Sequence, residues 1–223
     1  MLSLSAASWA HTEGTVASPA PCVCDPKICT PGAGLPDPNA YRHDGFFLRL
    51  TLGMGYMWGR GAPDAELDGY AGAMSVSAGS MVSENLALHF DMNGANAFRS
   101  ALSIDGAEDQ TYNAVFQTTG VGLGITYYLM PANVYASLGL GAGWLYTTAY
   151  ARVGENFVLT GHESSNFGPA VTLALGKEWW VSPDWGVGMT GVYQYLSVNG
   201  EDLGKYTVDA VHHVTVRVSA TFN

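Results

Sequence analysis

The chain of 223 residues is long enough for one domain with an additional tail, and only 13% of its residues are charged. Soluble domains usually carry about 25% charged residues, so this composition is more typical of a membrane protein. The net charge of −10, with nine Lys and Arg residues, argues against nucleic-acid binding, which needs a basic face.

Residues 1–43 show no strand periodicity and are rich in Pro, Ala, Ser and Thr. Residues 2–10 are typical of the end of a secretory signal peptide, with a cleavage site after Ala10. The rest of residues 1–43 is predicted to be a disordered, Pro-rich periplasmic tail. It contains all three cysteines, and an oxidising periplasm favours one disulfide, between Cys29 and either Cys22 or Cys24, with one thiol left over. Three cysteines without a nearby histidine are weak evidence for a metal site, so none is predicted.

From Asp44 onward, large apolar residues alternate with small or polar ones, and this period of two predicts β-strands. Eight such segments follow one another, beginning near Phe46, Tyr70, Leu86, Gly120, Val134, Val171, Val187 and Val208. In the fourth segment the apolar face is Val121, Leu123, Ile125, Tyr127 and Leu129. In the last segment the apolar face consists of Val208, Val214, Val216 and Phe222, together with His212. The opposite face consists of Asp209, His213, Thr215 and Arg217.

The stretch from Gln110 to Ala151 contains no charged residue and no histidine, and its length would allow two transmembrane helices. Glycines at every second position and Pro131 oppose helices. An apolar face opposite a small or polar face is instead what a transmembrane barrel strand requires. A soluble barrel is the alternative, but its large side chains point inward, and the opposite face here is too small to fill a dry core. Residues 44–223 are therefore predicted to form an all-β, eight-stranded, antiparallel up-and-down transmembrane β-barrel.

The connections between the predicted strands alternate in length. Short ones lie near 79–84, 130–133 and 182–184, and longer, acidic ones near 59–68, 94–111, 148–165 and 198–205. Short periplasmic turns and longer extracellular loops are the pattern of bacterial outer-membrane barrels. Aromatic residues near the strand ends predict two belts at the membrane interfaces. The outer belt includes Trp58 and Trp144, and the periplasmic belt includes Tyr135, Trp179, Trp180, Trp185 and Phe222.

Several of these segments resemble strands of a known group of proteins. The run Asp44-Gly-Phe-Phe-Leu-Arg-Leu resembles a first barrel strand, and Val82-Ser-Glu-Asn-Leu-Ala-Leu resembles the turn into a third. Later strands are represented by Gly122-Leu-Gly-Ile-Thr-Tyr-Tyr, Gly176-Lys-Glu-Trp-Trp-Val and Ser219-Ala-Thr-Phe-Asn. From Asp44 to Asn223 the chain resembles the small eight-stranded outer-membrane barrel proteins, the OmpA/OmpX/OmpW-like superfamily. Those barrels commonly end in an aromatic residue that the assembly machinery reads, whereas here Asn223 follows Phe222.

Five ionisable residues on the inner face can be placed by parity and by their distance from the strand ends: Arg49, His89, Asp91, Glu178 and Arg217. Because buried charges need partners, these residues are predicted to form a polar cluster across the lumen. The cluster either braces the barrel or lines a narrow conduit. The inward glycines above it either leave a small ligand cavity or allow tight curvature.

One motif points to catalysis. His162-Glu163-Ser164-Ser165-Asn166 lies where a long loop enters the sixth predicted strand, and parity places His162 and Ser164 on the same face. This order resembles outer-membrane lipid A deacylases, in which a histidine activates a serine at the membrane rim. The extra Ser165 departs from that motif. A chance occurrence in a polar loop is the favoured interpretation, so no enzyme activity and no cofactor are predicted.

The predicted function is that of an integral protein of the bacterial outer membrane with a structural or surface-interaction role. The first alternative is a narrow channel or a transporter of small hydrophobic ligands. The second is a lipid A-modifying hydrolase at the membrane rim. The expected partners are outer-membrane lipid, lipopolysaccharide and the barrel-assembly machinery, with no nucleic acid and with no protein ligand that the sequence identifies.

Overall fold

The computed structural model describes residues 42–62, 65–104, 112–153, 156–164, 167–198 and 207–223. The signal remnant and the cysteines Cys22, Cys24 and Cys29 lie outside these residues, so the predictions for the tail remain predictions. The described residues form nine strands: β1 Phe46–Ala62, β2 Ala65–Ser83, β3 Leu86–Ile104, β4 Tyr112–Leu129, β5 Val134–Val153, β6 Asn156–Ser164, β7 Gly168–Trp180, β8 Trp185–Ser197 and β9 Thr207–Phe222.

Eight of these strands close into an antiparallel barrel, as the sequence predicts. Each strand from β1 to β5 pairs with the next, β5 pairs with β7, β8 pairs with both β7 and β9, and β9 returns to pair with β1. Strand β5 has two partners on one edge: β7 along its periplasmic half, from Val134↔Lys177 to Gly143↔Gly168, and β6 farther out. Closure leaves no open sheet edge in the region that lipid would surround, where an unpaired backbone group costs several kcal/mol.

Three connections that the sequence predicts as long loops contain strand. β1 and β2 remain paired out to Gly61↔Ala65, and β5 and β6 out to Val153↔Asn156. β3 likewise reaches Ile104 before the chain returns at Tyr112. The apolar alternation that identifies a strand comes from lipid contact, and it stops where the strand leaves the membrane. Backbone pairing continues into water without that signal, which is why the sequence-based bounds are too short.

The exterior of the barrel is apolar. Leu123, Leu140 and Val216 are 65%, 58% and 57% exposed, and Leu48 and Leu138 face the same way. The alternate positions of the same strands point inward and are largely buried. The predicted assignment of inner and outer faces is therefore confirmed for these strands, and the large apolar side chains do not meet in a dry centre.

One departure from the predicted faces occurs in β9. Val208 is buried at 4% exposure and Asp209 is exposed, the reverse of the predicted arrangement. The pairing with β1 shifts register between Arg60 and Gly61, which skips Asp209. One extra residue in a strand inverts the facing of every residue beyond it, so strict alternation fails at this bulge.

The barrel interior is layered. At the periplasmic end, Phe47, Ala87, Tyr128 and Tyr135 pack together. The middle is polar and contains the five predicted ionisable residues. The outer half is filled by a second apolar cluster, which includes Met57, Phe116, Leu145, Leu196 and Val211. This outer cluster differs from the prediction of a small or watery inner face, because the inward positions in the outer half of the barrel include large apolar side chains.

Glycine on the inner face of β1 allows close approach of β9. A Cβ atom at Gly53 or Gly55 would collide with backbone atoms of β9 between Val214 and Arg217. Close pairing of β1 with β9 therefore accounts for glycine at these two positions.

Replacing Leu123 by Arg is expected to destabilise the barrel by about 2–4 kcal/mol, because this position lies near the middle of the membrane span and faces lipid. The same change at Tyr70, also exposed but near the outer end of the span, should cost about 0–1 kcal/mol. Reversible urea unfolding in lipid vesicles measures both values. Equal costs at the two positions would contradict a lipid-facing Leu123.

Candidate functional site

The polar middle of the barrel begins with an ion pair. The guanidinium of Arg49 on β1 lies 3.1 Å from the carboxylate of Glu178 on β7, and their side chains are 5% and 1% exposed. Tyr128 donates a hydrogen bond to Glu178 at 3.2 Å, and the Thr221 hydroxyl donates another at 2.7 Å. Two predicted site residues from distant parts of the chain are thus joined across the lumen, and the carboxylate of Glu178 accepts further hydrogen bonds from its neighbours.

Aromatic rings surround this ion pair on the periplasmic side. The guanidinium of Arg49 lies 3.8 Å from the centre of the Tyr135 ring, and Arg49 donates a hydrogen bond to the Tyr128 hydroxyl at 2.5 Å. His43 stacks on Tyr128 with ring centres 3.6 Å apart and shares a hydrogen bond of 2.8 Å with Asn133. His43, which the predicted boundary assigns to the tail, therefore lies at the periplasmic mouth of the barrel and covers the cluster from below.

His89 and Asp91 form a second group on β3. The His89 Nδ1 and Asp91 Oδ1 atoms are 2.9 Å apart, and His89 Nε2 lies 2.8 Å from the Thr126 hydroxyl. Thr126 in turn donates a hydrogen bond to Ser137 at 3.0 Å. The order acid, imidazole, hydroxyl is that of a nucleophilic triad. Thr126 is fully buried, however, and no substrate can reach its hydroxyl, so this chain of hydrogen bonds braces the wall between β3, β4 and β5.

Arg217 on β9 forms the third group. It donates hydrogen bonds to Thr215 at 2.8 Å, Asn93 at 3.3 Å and Thr51 at 3.4 Å, while its Nη2 atom has no protein partner among the described residues. Arg217, Arg49 and Asp91 line one cavity of about 30 Å³. That volume exceeds the roughly 10–15 Å³ that one water molecule needs, so the cavity has room for water beside Arg217 and Asp91. The five predicted residues are thus all inside the barrel but form three groups rather than one ring.

Above the charged groups lies one neutral polar pair, and beyond this pair the interior is apolar. Gln194 and His213 share a hydrogen bond of 2.8 Å between β8 and β9, and both are 2% exposed. A second cavity, of about 10 Å³, lies between Asn93 and Gln194. Beyond it, Phe116 and Met57 have no exposed surface. Within the described part of the chain, side chains fill the lumen from the periplasmic mouth to the outer cluster.

Most of the predicted interface aromatics face outward at the strand ends. Trp179 and Trp185 are 49% and 40% exposed, and Phe222 contacts Trp185 with ring centres 5.4 Å apart. Trp144 packs on Phe167 at the other end. Trp58 stacks on His212, with a ring-centre distance of 5.4 Å. His212 also shares a hydrogen bond of 2.9 Å with Tyr193, so a histidine on the apolar face is explained by its place among interfacial rings.

Two of the predicted interface aromatics point inward instead. Trp180 lies against His43 with ring centres 4.8 Å apart, and Tyr135 is 1% exposed within the aromatic group. Successive side chains of a strand face opposite sides, so Trp179 and Trp180 cannot both contact lipid. Parity alone would have corrected this prediction, just as it correctly places Tyr128 on the inner face.

The backbone of β6 places His162 and Ser164 opposite Thr148 and Tyr146 of β5. Their side chains and Asn166 lie outside the described residues, so the catalytic motif stays a prediction. Among the described residues, no group of three or more His, Cys, Asp or Glu side chains is arranged to hold a metal ion. The same residues include no helix long and apolar enough to cross a membrane.

Comparisons with known proteins agree with this architecture. No protein-family model and no curated protein matches the sequence. Among solved structures, Neisserial surface protein A is similar to 80% of this chain over 96% of its own, with a TM-score of 0.51 and 14% identity. Ail of Yersinia pestis matches 80% of this chain and 99% of its own, with a TM-score of 0.47 and 11% identity. OprG of Pseudomonas aeruginosa matches 82% of this chain and 99% of its own, with a TM-score of 0.45 and 13% identity.

The predicted resemblance to small eight-stranded outer-membrane barrels is therefore confirmed at the level of the fold. The chemistry of the surface adds the location. An apolar exterior around an ion-paired interior requires lipid as the surrounding solvent, and a closed barrel is the β-structure that can span it. The protein is a barrel of the bacterial outer membrane.

Proposed function

We propose that the protein is a closed outer-membrane barrel that holds strand hairpins above the cell surface for contact with other molecules, and that it is not an enzyme. The length of the strands carries this proposal. A tilted strand needs about 9–11 residues to cross the membrane. Strands β1 to β5 contain 17 to 20 residues each. The periplasmic turns are short, so the excess length lies on the outer side.

The pairing of these extensions supports a rigid platform. The pairing of β1 with β2 continues to Gly61↔Ala65, and β6 pairs with the outer part of β5. Ordered strands present their side chains at fixed spacing, so a partner pays less ordering entropy than it would with flexible loops. The strand residues beyond the roughly 9–11 that span the membrane are therefore available for contacts outside it.

The alternative of a channel or hydrophobic-ligand transporter receives less support from the interior. The cavities among the polar groups measure about 30 and 10 Å³, far below the roughly 300–1,000 Å³ that is usual for ligand sites. The apolar cluster around Phe116 and Leu196 lies above them and is almost fully buried. A conduit would therefore require several packed side chains to move together.

Planar-bilayer recording is expected to give no conductance steps above those of the protein-free bilayer. The ion pair of Arg49 with Glu178 and the apolar cluster each obstruct the lumen. A steady conductance that saturates with salt and disappears when the protein is heat-unfolded would contradict the closed barrel and favour the channel.

The surface role is tested on whole cells. Cells that produce the protein are compared with cells that produce a variant whose β1–β2 hairpin is shortened to a tight turn after Gly59, in aggregation and in adhesion to immobilised matrix protein. We expect the wild type to raise one of these readouts and the shortened variant to lose most of the increase. Heat-modifiable gel migration confirms that the shortened barrel still folds. No difference between producing and non-producing cells would contradict the surface role.

The remaining alternative, a hydrolase at the membrane rim, rests on His162 and Ser164 alone. Release of fatty acid from purified lipopolysaccharide, lost on Ser164→Ala, would establish it. We expect no release from either protein.

A further inference from the structure

The exterior of the barrel has a depression on its lipid-facing side. It has a volume of about 430 Å³ and lies across β4, β5 and β7. Its floor is Ala136, which stands between Tyr127 on β4 and Leu175 on β7 in the strand register. Ile125, Leu138 and Leu173 complete its apolar walls. The methyl group of Ala136 between large side chains leaves a groove in the surface that faces lipid. The volume of this groove falls within the usual range of about 300–1,000 Å³ for ligand sites.

A cation stands at the periplasmic end of this groove. The next outward-facing residue of β7 after Leu175 is Lys177, which pairs with Val134. Its ammonium donates a hydrogen bond to the Ala132 carbonyl at 2.5 Å and lies 5.6 Å from the centre of the Trp179 ring. These contacts hold the charge at the level where the strand meets the periplasmic turn.

The ammonium of Lys177 retains hydrogen-bonding capacity. It has three donors, and one is used by Ala132. The ion pairs of the described residues are Arg42 with Glu84, Arg49 with Glu178 and His89 with Asp91, so no carboxylate neutralises Lys177 among those residues. An apolar groove about as deep as one side chain, with an uncompensated cation at the membrane boundary, matches a molecule with an acyl chain and an anionic headgroup.

We infer that this groove binds one glycerophospholipid of the periplasmic leaflet, with an acyl chain against Ala136 and the phosphate on Lys177. Burial of acyl methylenes against Leu138, Leu173 and Leu175 supplies the apolar part of the binding. The charge-assisted hydrogen bond from Lys177 to a phosphate oxygen fixes the lipid in register with the groove. This site lies outside the barrel and does not depend on the proposed role of the surface hairpins.

The groove offers a matched pair of variants. Ala136→Phe fills the floor, and Ala136 is the third residue from the periplasmic end of β5. Ala220→Phe makes the same change at an outward position of β9, which is the third residue from its own periplasmic end and lies away from the groove. Both add a ring to the lipid-facing surface, so a difference between them reports the groove and not the added bulk.

The test is native mass spectrometry of the full chain, purified in detergent and titrated with palmitoyl-oleoyl-phosphatidylglycerol. We expect the wild type and Ala220→Phe to retain one lipid, and Ala136→Phe to bind about tenfold more weakly because the ring occupies the space of the acyl chain. Lys177→Gln should also weaken binding about tenfold through loss of the charge-assisted hydrogen bond. Heat-modifiable migration shows whether each variant is folded.

A second ligand separates the two parts of the site. Palmitoyl-oleoyl-glycerol has the same acyl chains without a phosphate, so the wild type and Lys177→Gln should bind it equally. Equal retention of phosphatidylglycerol by the wild type, Ala136→Phe and Lys177→Gln would overturn the inference. A dimer that Ala136→Phe dissociates, in place of a bound lipid, would overturn it in favour of a second copy of the chain.

Discussion

Replacing Glu178 by Ala is expected to lower the free energy of unfolding by about 3–5 kcal/mol, the usual cost of removing one partner of a buried ion pair. The loss leaves the guanidinium of Arg49 in the lumen without its carboxylate, and it removes the acceptor of the hydrogen bonds from Tyr128 and Thr221. Reversible urea unfolding in lipid vesicles, followed by tryptophan fluorescence, measures the change.

Two further variants identify the cause of that loss. Glu84→Ala removes a carboxylate of the same type from an exposed pair with Arg42, and it should change stability by less than about 1 kcal/mol. The double variant Arg49→Met with Glu178→Leu removes both charges and should recover most of the stability, because no buried charge is left unpaired. An unchanged unfolding midpoint for Glu178→Ala would contradict a bracing role for this ion pair.

Phe116→Ala is expected to cost about 3–5 kcal/mol, because the ring is fully buried in the outer apolar cluster and its removal leaves a cavity that the closed barrel cannot collapse to fill. Phe90→Ala is the matched control: Phe90 is 50% exposed on the lipid-facing surface, where lipid chains occupy the vacated space. Urea unfolding of both variants under identical conditions gives the comparison. A cost at Phe116 no greater than at Phe90 would mean that the outer half of the lumen is not a packed core.

Much of this architecture is encoded in simple alternation. Leu123 and Leu140 face lipid, and Arg49, His89, Asp91, Glu178 and Arg217 face the lumen, as parity alone predicts. The inference works because a side-chain period of two fixes one face once the other is known to contact lipid. It fails where that rule is interrupted. The bulge at Asp209 reverses the facing of Val208. At Trp180 the rule itself holds, and the error was to predict an interface position against it.

Other features depend on information that a strand pattern does not contain. The stagger of the strands around the barrel decides which inward residues meet across the lumen. The sequence could therefore predict that Arg49 and Glu178 belong to one polar cluster, but not that they contact each other. His43 precedes the first strand and has no periodicity to place it against Tyr128. The outer apolar cluster arises from inward residues such as Met57 and Leu196, and which of them pack together across the lumen depends on the same stagger. The extension of β1 and β2 depends on pairing between strands, which leaves no mark in either strand alone.

The central claim is that lipid surrounds the apolar face of each strand while the opposite face lines a packed, ion-paired lumen. Spin labels placed one at a time from Val121 to Tyr127 of the protein in lipid vesicles test it most directly through collision with oxygen and with a water-soluble nickel complex. We predict high oxygen accessibility and low nickel accessibility at Val121, Leu123, Ile125 and Tyr127, alternating with low accessibility to both at the positions between them. Low oxygen accessibility at all seven positions would place these side chains inside a protein core and contradict the account.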